Sequence, residues 1–178
     1  MKKASRAIFF DRDGVLNKPI IKNKKTFAPK KLKDFLIYPN VSQYCKLLKK
    51  KFILIVITNQ PDIKRNLISV EELNLMHKKL YKFTKFDKIY YSTALSKNSF
   101  MRKPNPGMLI KAIKEFNINP KLSYLVGDRD SDIQAGRKVG CQNIFIDRNY
   151  NEKKPVNYDF KVKSFSEAAR IILNDKSK

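Results

Sequence analysis

Residues 52–58, FILIVIT, form an unbroken apolar run rich in β-branched side chains. A strand with one wet face alternates apolar and polar residues. This run has no polar side, so both its faces must be covered. That makes it a central strand of a parallel sheet with helices packed above and below. The rest of the chain supplies the partners. RAIFF at 6–10 reads as a buried strand, as do KIYYS at 88–92, LSYLV at 122–126 and NIFID at 143–147, with a short edge strand over 160–163. Between them, apolar residues at near-helical spacing predict helices over 40–51, from Ser69 onward, over 107–115, over 131–139 and over 166–174. Ser69 and Glu72 have the spacing of a capping box, and Leu73, Met76, Leu80 and Phe83 form the apolar stripe that follows. Leu109, Ile110 and Ile113 are the inward candidates of the helix after Gly107. Residues 17–35, with Pro19, Pro29 and many lysines, read as an irregular excursion.

Strand alternating with helix predicts an α/β sandwich with a mostly parallel central sheet. Function in such a fold sits at the carboxyl ends of the strands. Four polar motifs fall there: Asp11/Asp13, Thr58/Asn59, Arg102/Lys103 and Asp128/Asp132. Of Asp11 and Asp13, one suits a metal ligand or nucleophile and the other an acid or base; a polar loop or helix cap is the plainer alternative. Asp128 and Asp132, four residues apart, share one face of a helix and offer hard oxygen ligands suited to Mg²⁺; capping is again the alternative. Thr58 and Asn59 bring a hydroxyl, an amide and free backbone N–H groups to a strand end, where phosphate oxygens can be held. Lys103 adds positive charge. Taken singly, each motif is weak evidence. Together they make a phosphoryl-transfer set, in which cations offset phosphate charge and an aspartate can serve as nucleophile.

DRDGVLN at 11–17, TNQ at 58–60, RKPNPGM at 102–108 and GDRDSDIQAG at 127–136 resemble, in order and spacing, the haloacid dehalogenase (HAD) superfamily of phosphatases. The branch they most resemble contains D,D-heptose 1,7-bisphosphate phosphatase and the histidinol-phosphate phosphatase domain. The resemblance runs from about Ala7 to Ile146. It implies a HAD-like Rossmannoid three-layer sandwich and a Mg²⁺-dependent phosphomonoester hydrolase. Asp11 is then the nucleophile that becomes an aspartyl-phosphate. Asp13 protonates the leaving alcohol and later activates water, and its backbone carbonyl joins Asp11 and Asp128 as a Mg²⁺ ligand. Thr58 and Asn59 bind the transferring phosphoryl group, Lys103 screens Asp11 and the phosphate, and Asp132 supports the acidic loop. Arg102 and Arg129 contact the substrate or its phosphate. The implied substrate is a small phosphorylated metabolite, foremost a sugar phosphate such as D-glycero-D-manno-heptose 1,7-bisphosphate; histidinol phosphate is the alternative, and a nucleic-acid end a more distant one.

Relatives in that branch carry a zinc held by Cys and His in the loop before RKP. Here residues 92–101, STALSKNSFM, contain neither. Cys45 and Cys141 lie elsewhere, and the only histidine, His77, falls in the preceding helix, so no zinc is expected. The two intervals that could hold a cap, about 25 residues after Asp13 and about 40 between TNQ and RKP, are short of the ~50 residues of a small domain, so the site should be open. The 178 residues suit a single domain, expected as a monomer or weak homodimer. No run reaches the ~18 apolar residues of a membrane helix, which makes a soluble cytoplasmic protein the expectation. The formal charge of +23 invites a nucleic-acid reading, but the lysines are dispersed and arginine is the minority cation. Lys22, Lys24, Lys25, Lys30 and Lys31 are placed to flank the entrance.

Overall fold

A computed structural model describes residues 4–22 and 25–175. The chain order is β1 (Ala7–Phe10), β2 (Ile20–Lys22), β3 (Lys25–Phe27), α1 (Val41–Leu48), β4 (Ile53–Asn59), α2 (Val70–Thr84), β5 (Lys88–Ser92), α3 (Gly107–Phe116), β6 (Tyr124–Gly127), α4 (Asp130–Val139), β7 (Gln142–Ile146), β8 (Phe160–Val162) and α5 (Phe165–Asn174). Six strands form one sheet in the order β5-β4-β1-β6-β7-β8, with every neighbouring pair parallel. The run at 52–58 becomes β4, one strand in from the edge.

Side-chain alternation along the central strands sorts the core into two layers. Ile8, Phe10, Leu54, Val56, Tyr124 and Val126 face one cluster with α1, α2 and α5. Ala7, Phe9, Ile55, Ile57 and Leu125 face the other with α3 and α4. Each fully buried aliphatic side chain here contributes about 1.5–3 kcal/mol, and so both faces resist opening. The result is a three-layer α/β sandwich with little or no cap.

Two helices sit at a different rotation from the expected one. In α2 the buried stripe is Leu73, Met76, Leu80 and Thr84, while Phe83 is exposed. A period of 3.6 residues carries the stripe to 84 rather than 83, and Thr84 Oγ1 satisfies itself on the Leu80 carbonyl. In α3, Met108, Leu109 and Ala112 turn inward, leaving Ile110 and Ile113 half-buried. The excursion at 17–35 also contains more order than expected. It holds the antiparallel β2–β3 hairpin, whose three-residue strands are too short and too rich in lysine to show a period.

Candidate active site

β1, β4 and β6 end side by side, and their parallel register carries the next residues of each to one edge. Asp11 follows β1, and its N–H donates to the Val126 carbonyl of β6. Thr58 and Asn59 close β4. Asp128 follows β6, and Asp132 lies in the first turn of α4. Lys103 reaches in from the loop before α3. A cavity of about 500 Å³ opens there, lined by Asp11, Asp13, Thr58, Asn59, Lys103 and Asp132 among others.

Lys103 is the hub. Its Nζ donates to Asp11 Oδ1 at 2.6 Å and to the Ile57 carbonyl at 2.8 Å, and it pairs with Asp132 Oδ1 at 2.7 Å. An ammonium has three N–H donors, so all three are engaged. Burial works against its charge, but Asp11 and Asp132 outweigh burial and hold the amine above its ordinary value. Asn59 fixes the loop that delivers the lysine. Its Nδ2 donates to the Lys103 carbonyl at 3.0 Å, and its Oδ1 accepts from the Lys103 N–H at 3.1 Å.

Asp11, Asp128 and Asp132 each offer an oxygen within 4.8 Å of the others, and all three are buried. Three carboxylates face the Lys103 ammonium, with the Arg129 guanidinium acting on Asp128 from the side, so negative charge exceeds positive when all are ionised. Burial pushes the Asp11 carboxyl up to about 6 against the pull of Lys103. Burial, then Asp11 and Asp132, hold Asp128 well above the usual carboxylate range. Asp128 Oδ1 is buried with no hydrogen-bond partner. An all-oxygen donor set, surplus negative charge and an orphaned carboxylate oxygen fit a hard divalent cation such as Mg²⁺. Cys45 and Cys141 are buried in opposite core layers, and the metal-competent grouping among the described residues is carboxylate only. Gly14 allows the close approach. At φ +94° it takes a conformation that favours glycine, and a Cβ there would lie 1.8 Å from Asp128 Oδ2.

Asp13 lines the same cavity, but its carboxylate is outside the metal-competent group. It is gripped by Arg12, whose NH2 donates to Oδ2 at 2.8 Å and Oδ1 at 3.0 Å. Asn17 Nδ2 donates to Oδ1 at 2.9 Å, and Gln60 Nε2 to Oδ2 at 2.8 Å. Burial opposes its charge, but Arg12 and these two amides outweigh burial and hold the carboxyl below its ordinary range. Gln60 also donates to Thr58 Oγ1 at 2.8 Å, which leaves the Thr58 hydroxyl hydrogen free to donate into the cavity.

Arg102 and Arg129 both reach the cavity wall. Arg102 donates to the Ala94 carbonyl at 2.7 Å, and its Nε is buried without a partner. Burial, with Arg65 nearby, lowers its pKa. Arg129 is tied to Thr26 of the hairpin and to Glu152 at 3.4 Å. Lys22, Lys25, Lys30 and Lys31 are exposed and none lines the cavity; Lys24 lies outside the described residues. Sequence reasoning assigned no role to Arg12, Asn17 or Gln60. The signal was present, because all three fall inside the DRDGVLN and TNQ motifs.

The family model for HAD-hydrolase-like proteins matches residues 100–168. The chain is 33% identical over 156 residues to the D-glycero-alpha-D-manno-heptose-1,7-bisphosphate 7-phosphatase of Campylobacter jejuni, covering 84% of this chain and 85% of that protein. It is 31% identical over 157 residues to the histidine biosynthesis bifunctional protein HisB of Blochmanniella floridana, covering 84% of this chain and 43% of that one. In fold it is similar to the D,D-heptose 1,7-bisphosphate phosphatase of B. bronchiseptica, with a TM-score of 0.80 at 22% identity, over 96% of this chain and 99% of the other.

Proposed function

The chain belongs to the HAD superfamily of phosphatases, close to the heptose-1,7-bisphosphate phosphatases, and from that premise we propose that it removes one phosphate from a heptose 1,7-bisphosphate or a closely similar sugar bisphosphate. It is a Mg²⁺-dependent phosphomonoester hydrolase. The observation that carries the reading is the Lys103 ammonium held between Asp11 and Asp132, with Asp128 completing an oxygen-rich cluster.

Asp11 attacks phosphorus through a carboxylate oxygen, forming an O–P bond as the bond from phosphorus to the leaving oxygen breaks. Asp13 gives its proton to that oxygen, releasing the alcohol. Water then attacks the aspartyl-phosphate and passes a proton to Asp13. Inorganic phosphate leaves, and Asp11 is restored. Arg12, Asn17 and Gln60 favour ionised Asp13, which suits the second half. A phosphate dianion beside Asp13 works the other way and favours the protonated form needed first. Thr58 donates to a phosphoryl oxygen, and Lys103 screens Asp11 from the incoming dianion. Asp11, Asp128 and the Asp13 carbonyl would hold Mg²⁺, with Asp132 supporting Lys103 and the acidic loop. The cation supplies charge neutralisation for the transferring group.

Besides Lys103, the cavity wall carries Lys97, Arg102, Arg129 and Arg65, the last paired with Asp62 at 3.0 Å, and these cations suit a substrate with a second phosphate. Histidinol phosphate, the alternative implied by the motif resemblance, is the second reading, and the 31% likeness to a histidine biosynthesis bifunctional protein accords with it. Turnover of heptose 1,7-bisphosphate, histidinol phosphate, single sugar phosphates and 5′-phosphorylated oligonucleotides under Mg²⁺ tests both. The bisphosphate should give the highest kcat/KM, and a preference for histidinol phosphate or the oligonucleotide would replace this reading. No helix among the described residues is long and apolar enough to cross a membrane. We read the whole chain as one catalytic domain acting as a cytoplasmic monomer or weak homodimer.

A further inference from the structure

Arg12 is fully buried, and its guanidinium lies over the Phe35 ring at 5.4 Å. Its Nε and NH2 face Asp13, and its NH1 meets His77 Nε2 at 3.2 Å. A guanidinium has only donors, so His77 Nε2 accepts and the ring proton sits on Nδ1. Burial, then the Arg12 charge, pushes His77 down to about 4, which keeps the imidazole a neutral acceptor near pH 7. The ring is flanked by Tyr91, with centroids 5.8 Å apart. His77 is on α2 and Asp13 follows β1, so the chain of contacts links one layer of the sandwich to the site.

We infer that His77 is a positioning residue: through Arg12 it fixes the Asp13 carboxylate in the orientation that proton transfer requires. Removing the acceptor frees NH1 and lets the guanidinium turn, which loosens its grip on Asp13 and leaves the carboxylate to Asn17 and Gln60. Proton transfer depends steeply on such placement, while binding of the phosphate by Thr58 and Lys103 does not. The signature is therefore a fall in kcat with KM held.

This role rests on the phosphatase reading, and steady-state kinetics of wild type, His77→Leu and His77→Gln with Mg²⁺ test it. His77→Leu should lose roughly tenfold or more in kcat, with KM within about twofold. His77→Gln offers an amide oxygen to NH1 and should recover most of that loss. Because the chain has one histidine, ¹⁵N-histidine labelling gives a single imidazole pair, which should show protonated Nδ1 and bare Nε2. A folded His77→Leu with unchanged kcat, a Gln variant as impaired as Leu, or a protonated Nε2 would overturn the role alone. A wild type inactive on every ester would instead overturn the phosphatase reading, and this role with it.

Discussion

Asp128 and Asp147 stand at equivalent places, each directly after one of two adjacent parallel strands, β6 and β7. Their surroundings are opposite. Asp147 pairs with Lys154 at 3.0 Å and Lys161 at 3.1 Å, two half-exposed lysines that satisfy it from solvent. Burial is the largest single influence and works against its charge, but those lysines and the Asn149 N–H together outweigh it and hold its carboxyl down to about 2. Asp128 has an oxygen with no partner and two other carboxylates nearby. The same residue at the same topological position is a finished ion pair in one case and an incompletely compensated charge in the other. Only the second has affinity left for a cation.

The sharpest way to break the comparison is at Asp11, the proposed nucleophile. Asp11→Asn should lower kcat about 10,000-fold or more, roughly 5 kcal/mol of barrier, in a phosphate-release assay. Lys103→Met should come next. It leaves Asp11 and Asp132 buried without their cation, and equilibrium urea unfolding should show a loss of about 3–5 kcal/mol. Mg²⁺ should oppose that kind of strain in the wild type. At a hundredfold excess over Kd it adds about 2.7 kcal/mol, read as a rise in thermal midpoint. Asp128→Asn should remove this gain while raising the midpoint of the metal-free protein.

Acid sharpens the contrast by sign. Asp11 has a raised folded pKa, so the native state binds more protons than the unfolded one between 3.8 and about 6. Its contribution to metal-free stability should therefore grow as pH falls through that window. Saturating Mg²⁺ should erase the slope. Asp147 has a depressed pKa, so its contribution is present above 3.8 and is lost as pH falls toward about 2. Thermal midpoints across pH, with and without Mg²⁺, separate the two. The smallest effect belongs to Asp147→Asn, which should cost less than about 1 kcal/mol and leave kcat unchanged.

Strands with long apolar runs were legible because burial on both faces writes itself into composition. β4 and β5 fall where FILIVIT and KIYYS place them, within a residue. Asp11, Thr58 and Asp128 were legible as residues at strand ends and Lys103 as a loop cation; the structure places Asp11, Thr58 and Lys103 at one cavity and Asp128 within reach of Asp11. What could not be read was partnership across long separations. Nothing local says that Asn59 spends its amide on the Lys103 backbone, or that His77 meets Arg12. The β2–β3 hairpin escaped for a different reason. Three residues per strand give no period to detect, and its placement depends on tertiary contacts such as Arg129 with Thr26.

The position of β1 at the centre of the sheet has a consequence for biosynthesis. Its first neighbour, β4, emerges some 46 residues after it, pairing Ala7 with Ile53. Its other neighbour, β6, emerges 116 residues after it, pairing Ile8 with Tyr124. Until β6 has emerged, one edge of this fully buried strand has no partner, which is the situation that invites aggregation. The carboxylates Asp128 and Asp132 arrive with that missing neighbour. A nascent chain therefore acquires its cation site only once β6 can join β1, and Mg²⁺ favours the state in which these two central strands are already paired.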